Sequence, residues 1–276
     1  MSDFTSQFEA SGYLAPMMSE ASARFRSENE EWFALADGVS SALQRMAFKN
    51  MEAAATQSNS FEQKSVSHLV LLRSAGNLQG AILMAERGMV IEARTLVRSV
   101  LEDAFCMAAL HDQPDVFLDH LKGDDALARK GQAKAILKAG KFKHMSETEL
   151  KAFIAGIPKL KNLGMEGVAQ LGPLRDQYLA YRVLSNDGAH PSATSLARHM
   201  AFNDERTAWT GFLVGPGRKA QIVEALNFAV MAALPIGIAY SVMLGDDESN
   251  EEFARLGEVY RALVNARADD TGDADG

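Results

Sequence analysis

The chain has little of what marks several large protein classes. Among 276 residues there is one cysteine, Cys106, which excludes an internal disulfide framework and any site built from several thiolates of one chain. That usage fits a reducing compartment. Only seven prolines occur, so long stretches contain nothing that stops a helix. There is no Gly-rich phosphate loop, no Gly-x-Ser-x-Gly and no His-Glu-x-x-His, which removes P-loop, serine-hydrolase and zincin chemistry. The histidines His68, His111, His120, His144, His190 and His199 lack metal-ligand spacing. Asp112, Asp115 and Asp119 beside two of them read as a solvated helix face, so no metal and no cofactor is expected. Positive charge is also short. The formal net charge is -8, and any contact with RNA or DNA must come from a local basic patch. Met1-Ser2-Asp3-Phe4 has neither the basic region nor the apolar core of a signal peptide, which gives a cytoplasmic expectation.

What is present is ordinary globular usage, 47% hydrophobic and 23% charged, enough to bury a core in one large domain. One segment tests that reading. Ala225 to Gly245 carries no charge and is long enough to cross a bilayer. Asn227, Pro235, Gly237, Tyr240 and Ser241 interrupt it and its alanines make it only moderately apolar. A buried core helix kinked at Pro235 is the expectation, with no membrane partner.

Helical patterning runs nearly throughout. From Pro16 to about Gln57, Phe25, Trp32, Leu35, Val39, Leu43 and Met46 recur at three- to four-residue steps, which predicts one long amphipathic helix or two nearly collinear ones. Asn59-Ser60 offers the next N-cap, and a second helix ends at Gly88. Met89 to His111 is a third. Pro114 starts another that ends near Gly140, with Gly123-Asp124-Asp125 as a break inside it. Ser146-Glu147-Thr148-Glu149 has capping-box spacing for a short helix to about Ala155. Gly164 to Gly172 is loop-prone, and Pro173 opens the next helix. After His190-Pro191 regularity fades; Thr207 to Val214 reads as a short strand, a hairpin or a covering loop. Helices resume at Arg218 to Leu244 and Glu251 to Asn265. The expected fold is all-α, a single bundle of about eight helices. Its divisions are an N-terminal extension (1–60), a core (61–245), a C-terminal helix (246–267) and a disordered acidic tail (268–276).

Two places concentrate polar residues. In Tyr178 to Pro191, helical spacing puts Arg182, Ser185, Asn186 and His190 on or near one face, so a cation, an amide and an imidazole can share a small volume. The bland alternatives are an imidazole capping a helix end before Pro191 and an Asn186-Asp187-Gly188 turn. In Met89 to His111, Ala93, Leu96, Val97, Val100, Leu101, Ala104, Phe105 and Ala108 form a core stripe edged by Arg94, Arg98 and Glu102 at i, i+4, i+8. Two arginines one turn apart repel, and Arg98 before Glu102 is the weaker order for such a pair, so the row looks arranged for something off the helix. Arg73 sits in the apolar run Leu69-Val70-Leu71-Leu72, with Gly76, Asn77 and Gly80 on its own face. Small residues there let another helix approach, and the arginine needs an acceptor, for which Glu102 is a candidate. Arginines beside a core stripe also snorkel or pair within the protein.

The pattern Ala93-x-x-Leu96-x-Arg98-Ser99-x-x-Glu102, preceded by Gly88 and Arg73 and followed by Tyr181-x-x-x-Ser185-x-x-x-x-His190, resembles the bacterial all-helical family known as domain of unknown function 5677, over roughly Phe61 to Leu244. The likeness implies an all-α bundle and no established activity. More distantly, Asn186-x-x-x-His190 resembles the Arg-x(4–6)-His signature of the HEPN group of helical ribonucleases and nucleotide-binding proteins. Ser185 stands where that signature has arginine, and the nearest arginine is Arg182. What this likeness implies is a metal-independent ribonuclease of a defence or toxin–antitoxin setting, working as a homodimer with its motifs across a shared cleft. His190 would move the proton, Arg182 or Arg98 would hold phosphate, and Asn186 and Ser185 would orient it. The alternatives are a non-catalytic module binding an anionic ligand or a partner protein through Arg73, Arg94, Arg98, Glu102 and Tyr181, and a scaffold whose polar cluster ties the bundle together.

Overall fold

Helix-forming sequence with few stops becomes helix almost throughout residues 3–55, 61–140, 146–158, 163–188, 192–203, 205 and 207–272, which the computed structural model describes. The N-terminal region holds α1 (Asp3–Ser11), a 3-10 turn, α2 (Met18–Glu28), α3 (Glu30–Lys49) and α4 (Met51–Ala54). The long N-terminal helix expected from Pro16 is therefore broken, and two asparagines break it. Asn29 and Asn50 are buried and leave helical backbone angles, with φ of -133° and -102°. Each turns its amide onto the carbonyl four residues back: Asn29 Nδ2 donates to Phe25 O at 2.8 Å and Asn50 Nδ2 to Met46 O at 3.1 Å. At Asn29 the amide takes the place of the backbone N–H, which turns to Arg26 O, whereas at Asn50 it shares Met46 O with the backbone N–H at 3.1 Å. Such side-chain bonds compete with the helix ladder. The Asn59-Ser60 cap lies outside the described residues.

The central helices follow the sequence pattern closely. α5 (Gln63–Glu86) stops before Gly88, which takes φ +71°, a left-handed conformation that costs glycine little. α6 (Val90–Asp112) buries its whole expected stripe except Leu96, which is only partly covered. α7 (Pro114–Ala139) runs through Gly123-Asp124-Asp125 without the expected break and ends on left-handed Gly140. α8 (Glu147–Gly156) starts with the capping box, Ser146 Oγ accepting from Glu149 N and the Glu149 carboxylate from Ser146 N. Gly164 to Gly172 is not all loop, since α9 (Gly164–Ala169) forms there, and α10 (Tyr178–Gly188) opens at Tyr178 rather than Pro173. Beyond it lie α11 (Ala193–Ala197) and an antiparallel hairpin of β1 (Met200–Phe202) and β2 (Trp209–Phe212), with Met200 opposite Phe212. α12 (Lys219–Leu244) and α13 (Asp247–Gly272) complete the chain. α13 continues into the segment read as tail; residues 273–276 lie outside the described residues. Thirteen α-helices are thus described. The all-α class holds, and the expected count of eight fails because asparagine breaks and short helices multiply the elements.

The helices α5, α6 and α12 pack together at the centre, with α3 and α13 against α12, α10 and α9 against α6, and α7 outside carrying α8. One hydrophobic core runs through them from Ala15 to Phe253. α12, uncharged from Ala225 onward, is long and apolar enough to span a bilayer by length and composition. In the bundle Ile222, Leu226, Val230, Ala233, Ile236 and Tyr240 are buried, and Pro235 lies inside the helix without ending it. At the end of α3, Asp246 ties three elements: its carboxylate accepts from Lys49 Nζ at 2.8 Å, Asn50 Nδ2 at 2.9 Å and Ser249 Oγ at 2.7 Å. Burial alone would push this carboxyl up; the donors outweigh it and hold it well below the usual carboxylate range.

Gly237 on α12 lets the Phe253 ring of α13 lie directly on the helix backbone, where any β-carbon would overlap the ring. Gly237→Ala is expected to lose about 1–3 kcal/mol in urea unfolding, overpacking outweighing the gain in helix propensity. Gly131→Ala in α7, where a β-carbon meets nothing within 4 Å, is expected to gain about 0.5–1 kcal/mol.

Candidate functional site

Charged residues in the middle of a buried helix must each find a partner, and α6 carries four between Arg94 and Asp103. Arg94, 1% exposed, reaches Glu224 of α12, Nη1 to Oε2 at 2.9 Å, with its guanidinium 5.6 Å from the centre of the Phe228 ring. Asp103, also 1% exposed, accepts from Arg73 Nη1 of α5 at 2.6 Å. The acceptor that Arg73 needs is therefore Asp103, one residue from the expected Glu102 but on another side of α6. Arg98 and Glu102 face α10.

The α6–α10 seam is one connected network. Arg98 Nη2 lies 2.8 Å from Glu102 Oε1 and donates to Tyr181 Oη at 3.0 Å, while Arg98 Nε donates to Ser185 Oγ at 3.0 Å. Tyr181 Oη donates to Glu102 Oε1 at 3.0 Å, and Ser185 Oγ donates to Tyr181 O at 2.8 Å. The Arg98 guanidinium also sits 5.2 Å from the centre of the Tyr181 ring, a cation–π arrangement. Tyr181 is held in turn by an edge contact with Phe105 and a stacked contact with Tyr178. Helical periodicity explains this assembly: Tyr181 and Ser185 are one turn apart on α10, as Arg98 and Glu102 are on α6.

The rest of the polar cluster points elsewhere. Leu179, Arg182, Val183 and Asn186 are exposed on the outer side of α10, so Ser185 lies at the seam while Arg182 and Asn186 line the adjoining open face. His190 lies outside the described residues. The hydroxyl proton of Ser185 is engaged by the Tyr181 carbonyl, which leaves this serine a positioning group rather than an activated nucleophile. Arg98 uses Nε and Nη2 within the network, and Nη1 has no hydrogen-bond partner among the described residues. The Arg98 side chain is 23% exposed.

Other notable groups were not signalled by the sequence. His68 of α5 and Tyr240 of α12 are both buried, Nδ1 to Oη 2.6 Å apart, and burial holds the imidazole below its ordinary value. Burial and the neighbouring Asp103 push the Cys106 thiol up to about 12, too high for a thiolate nucleophile near neutrality. Among the described residues no group of three or more His, Cys, Asp or Glu is placed to hold a metal ion. One surface cleft lies along α3 at Ser40, Gln44, Arg45 and Phe48, another at Gln63, Pro114, Asp115 and Lys122. Neither includes a residue of the seam.

Residues 64–207 match the model of a family described as "Family of unknown function (DUF5677)". Both halves of the seam, Arg98 with Glu102 and Tyr181 with Ser185, fall within that span. No curated protein and no solved structure matches the chain.

Tyr181→Phe removes both the bond from Arg98 and the bond to Glu102, and is expected to cost about 1–3 kcal/mol in chemical unfolding, the range for hydrogen bonds to charged groups. Asp103 gives a pH test. Burial, opposed by Arg73, raises its carboxyl to about 6. The folded chain then holds this proton more tightly than the unfolded chain does, so stability falls as pH rises from about 4 to about 6. Asp103→Asn is expected to remove that slope, seen as a stability difference from the parent protein that widens in favour of the variant across this window.

Proposed function

The chain belongs to the DUF5677 family, and we propose that its α6–α10 seam binds the phosphates of RNA or a nucleotide, with His190 providing proton transfer for metal-independent RNA cleavage. The observation that carries this reading is the posture of Arg98. Three groups, Glu102, Tyr181 and Ser185, hold its guanidinium in one orientation while Nη1 is left for an external acceptor. A pre-oriented guanidinium binds phosphate without first losing rotamer freedom. Arg182 and Asn186, exposed on the adjoining face of α10, supply a second cation and an amide. Together they offer two guanidinium groups, that of Arg98 balanced by Glu102, as the local contact that a chain of net charge -8 needs to hold nucleic acid. His190 follows Asn186 by one turn in sequence, the spacing that lets an imidazole serve the same phosphodiester.

In cleavage of this kind a ribose 2′-hydroxyl loses its proton to a base and its oxygen bonds to phosphorus. The charge on the pentacovalent phosphorus is stabilised, and the bond to the 5′-oxygen breaks as that oxygen takes a proton back from the protonated base or from water, leaving a 2′,3′-cyclic phosphate. In the proposal His190 takes the proton, Arg98 and Arg182 hold the phosphoryl oxygens, and Asn186 orients them. Ser185 and Tyr181 keep Arg98 in place. Arg73 and Arg94 belong outside the site, since each is turned to a carboxylate on the far side of α6 or on α12.

Binding of a fluorescent single-stranded RNA, followed against salt concentration, tests the first part. Arg182→Ala is expected to weaken binding and to reduce the slope of log K against log salt by about 1. Parent protein that shows no binding at low salt, or an unchanged slope, overturns the anion site. Incubation of RNA with chelator tests the second part: the parent protein is expected to cleave and His190→Ala to bind without cleaving. Binding by the parent protein with no cleavage removes the role of His190 and leaves a binding module.

A further inference from the structure

Charge is unevenly placed along this chain. Between Lys122 and Asn162 ten lysines and arginines stand against four aspartates and glutamates, a net of +6 in a protein whose total is -8. From Ala126 to Ser146 there are six cationic residues and no acidic one. Lys141, Lys143, Lys159 and Lys161 lie outside the described residues; the described cations sit on α7 and α8. This segment also leaves the core. Leu118 and Leu121 are the last residues of α7 packed against the main hydrophobic core, and the next described residue to do so is Leu163. α7 runs on past Leu121 to Ala139, about 27 Å of helix. On that stretch only Ala133 is buried, and α8, which packs along it, buries only Leu150.

Several cations of this arm are already engaged. Arg129 pairs with Asp125 at 3.0 Å, Lys151 pairs with Glu147, and Lys130 Nζ donates to Ile157 O at the end of α8 at 2.9 Å. Lys134 and Lys138 are exposed and have neither a hydrogen bond nor an ion pair among the described residues. With Lys130 they form an i, i+4, i+8 row, each step about 6 Å along the axis. Like charges one turn apart repel. The arginines of α6 have that spacing too, and there each is met by a carboxylate inside the bundle. On α7 nothing within the described protein meets Lys134 or Lys138, and a polyanion outside it would relieve their repulsion.

We propose that the face of α7 around Lys134 and Lys138 is where the chain takes hold of an RNA backbone, through phosphate contacts that read no base. The choice of RNA rests on the proposed function, and the arm supplies what that reading lacks at the seam. There Glu102 balances Arg98, so attraction of a polyanion to a protein of net charge -8 has to come from a separate concentration of positive charge. A lipid surface fits this arm less well. A helix lying in a membrane turns a continuous apolar face to the lipid, whereas Ile136 is the only large apolar residue exposed on α7 beyond Leu121.

Titration of single-stranded RNA with the full chain, repeated across salt concentrations, tests the arm. Lys134→Ala with Lys138→Ala is expected to reduce the slope of log K against log salt by about 1.5, and to weaken binding by the same factor for RNAs of unrelated sequence. Melting curves are expected to match the parent protein, since both side chains are exposed and unpaired. Lys134→Arg with Lys138→Arg keeps the charge and is expected to bind as the parent does; a loss equal to that of the alanine pair overturns the proposal. Binding that Arg182→Ala weakens and the alanine pair leaves unchanged overturns the arm and keeps the seam. The reverse result keeps the arm and removes the seam as the anion site. A parent protein that binds no RNA at low salt ends both. Polyglutamate or phosphatidylserine vesicles that bind as tightly as RNA, and lose binding with the alanine pair, reassign the face to an acidic protein or a lipid surface and overturn the choice of RNA.

Discussion

Charge inside an apolar environment is costly unless paired, and four ionisable groups on one central helix turn that cost into architecture. Arg94 must meet Glu224, which fixes α6 against α12. Asp103 must meet Arg73, which fixes α6 against α5. Arg98 and Glu102 must meet Tyr181 and Ser185, which fixes α6 against α10. Apolar packing alone tolerates a helix slipping by a turn when residue volumes are similar. A slip here would strand a carboxylate or a guanidinium, so the pairs set rotation and register where the leucines and alanines set only proximity.

This arrangement explains why part of the protein could be read from its sequence and part could not. Local signals survived folding. The α6 stripe, the stop at Gly88, the Ser146 capping box and the uncharged run of α12 from Ala225 each depend on residues within a few turns of one another. The breaks at Asn29 and Asn50 depend on whether an amide folds back on its own helix, and an asparagine in a helical run does not announce that. Gly123 carries the opposite lesson: a glycine followed by two aspartates still continues α7.

The cluster shows the same division. Periodicity put Arg98 and Glu102 onto one edge of α6, because it concerns neighbours on one helix. On α10 it grouped Ser185 with Arg182 and Asn186, which the structure divides between the seam and the open side, while Tyr181 was paired with Ser185 only by the family motif. Which helix each face meets is a long-range fact. Arg73 was assigned an acceptor on the right helix but one residue off, and on α6 one residue is about 100° of rotation. That step separates Glu102, turned to α10, from Asp103, turned to α5. Glu224 as the partner of Arg94 had no local signature, since the two lie 130 residues apart.

A network whose members satisfy one another has two physical consequences that pull in different directions for function. Mutual satisfaction makes the seam rigid and lowers its need for any ligand, because Glu102 already balances the charge of Arg98. The same rigidity keeps the guanidinium plane fixed, so the donors on Nη1 stay presented rather than sampling rotamers. In the proposed function Glu102 would weaken attraction to a free phosphate more than to a polyanion, which could also engage the exposed Arg182 of α10. Under the proposed reading the seam would therefore favour an extended chain of phosphates over a single small anion. Removing the charge of Glu102 while keeping its shape would shift that balance toward small anions, at a cost in stability set by how far Arg98 and Tyr181 depend on the carboxylate.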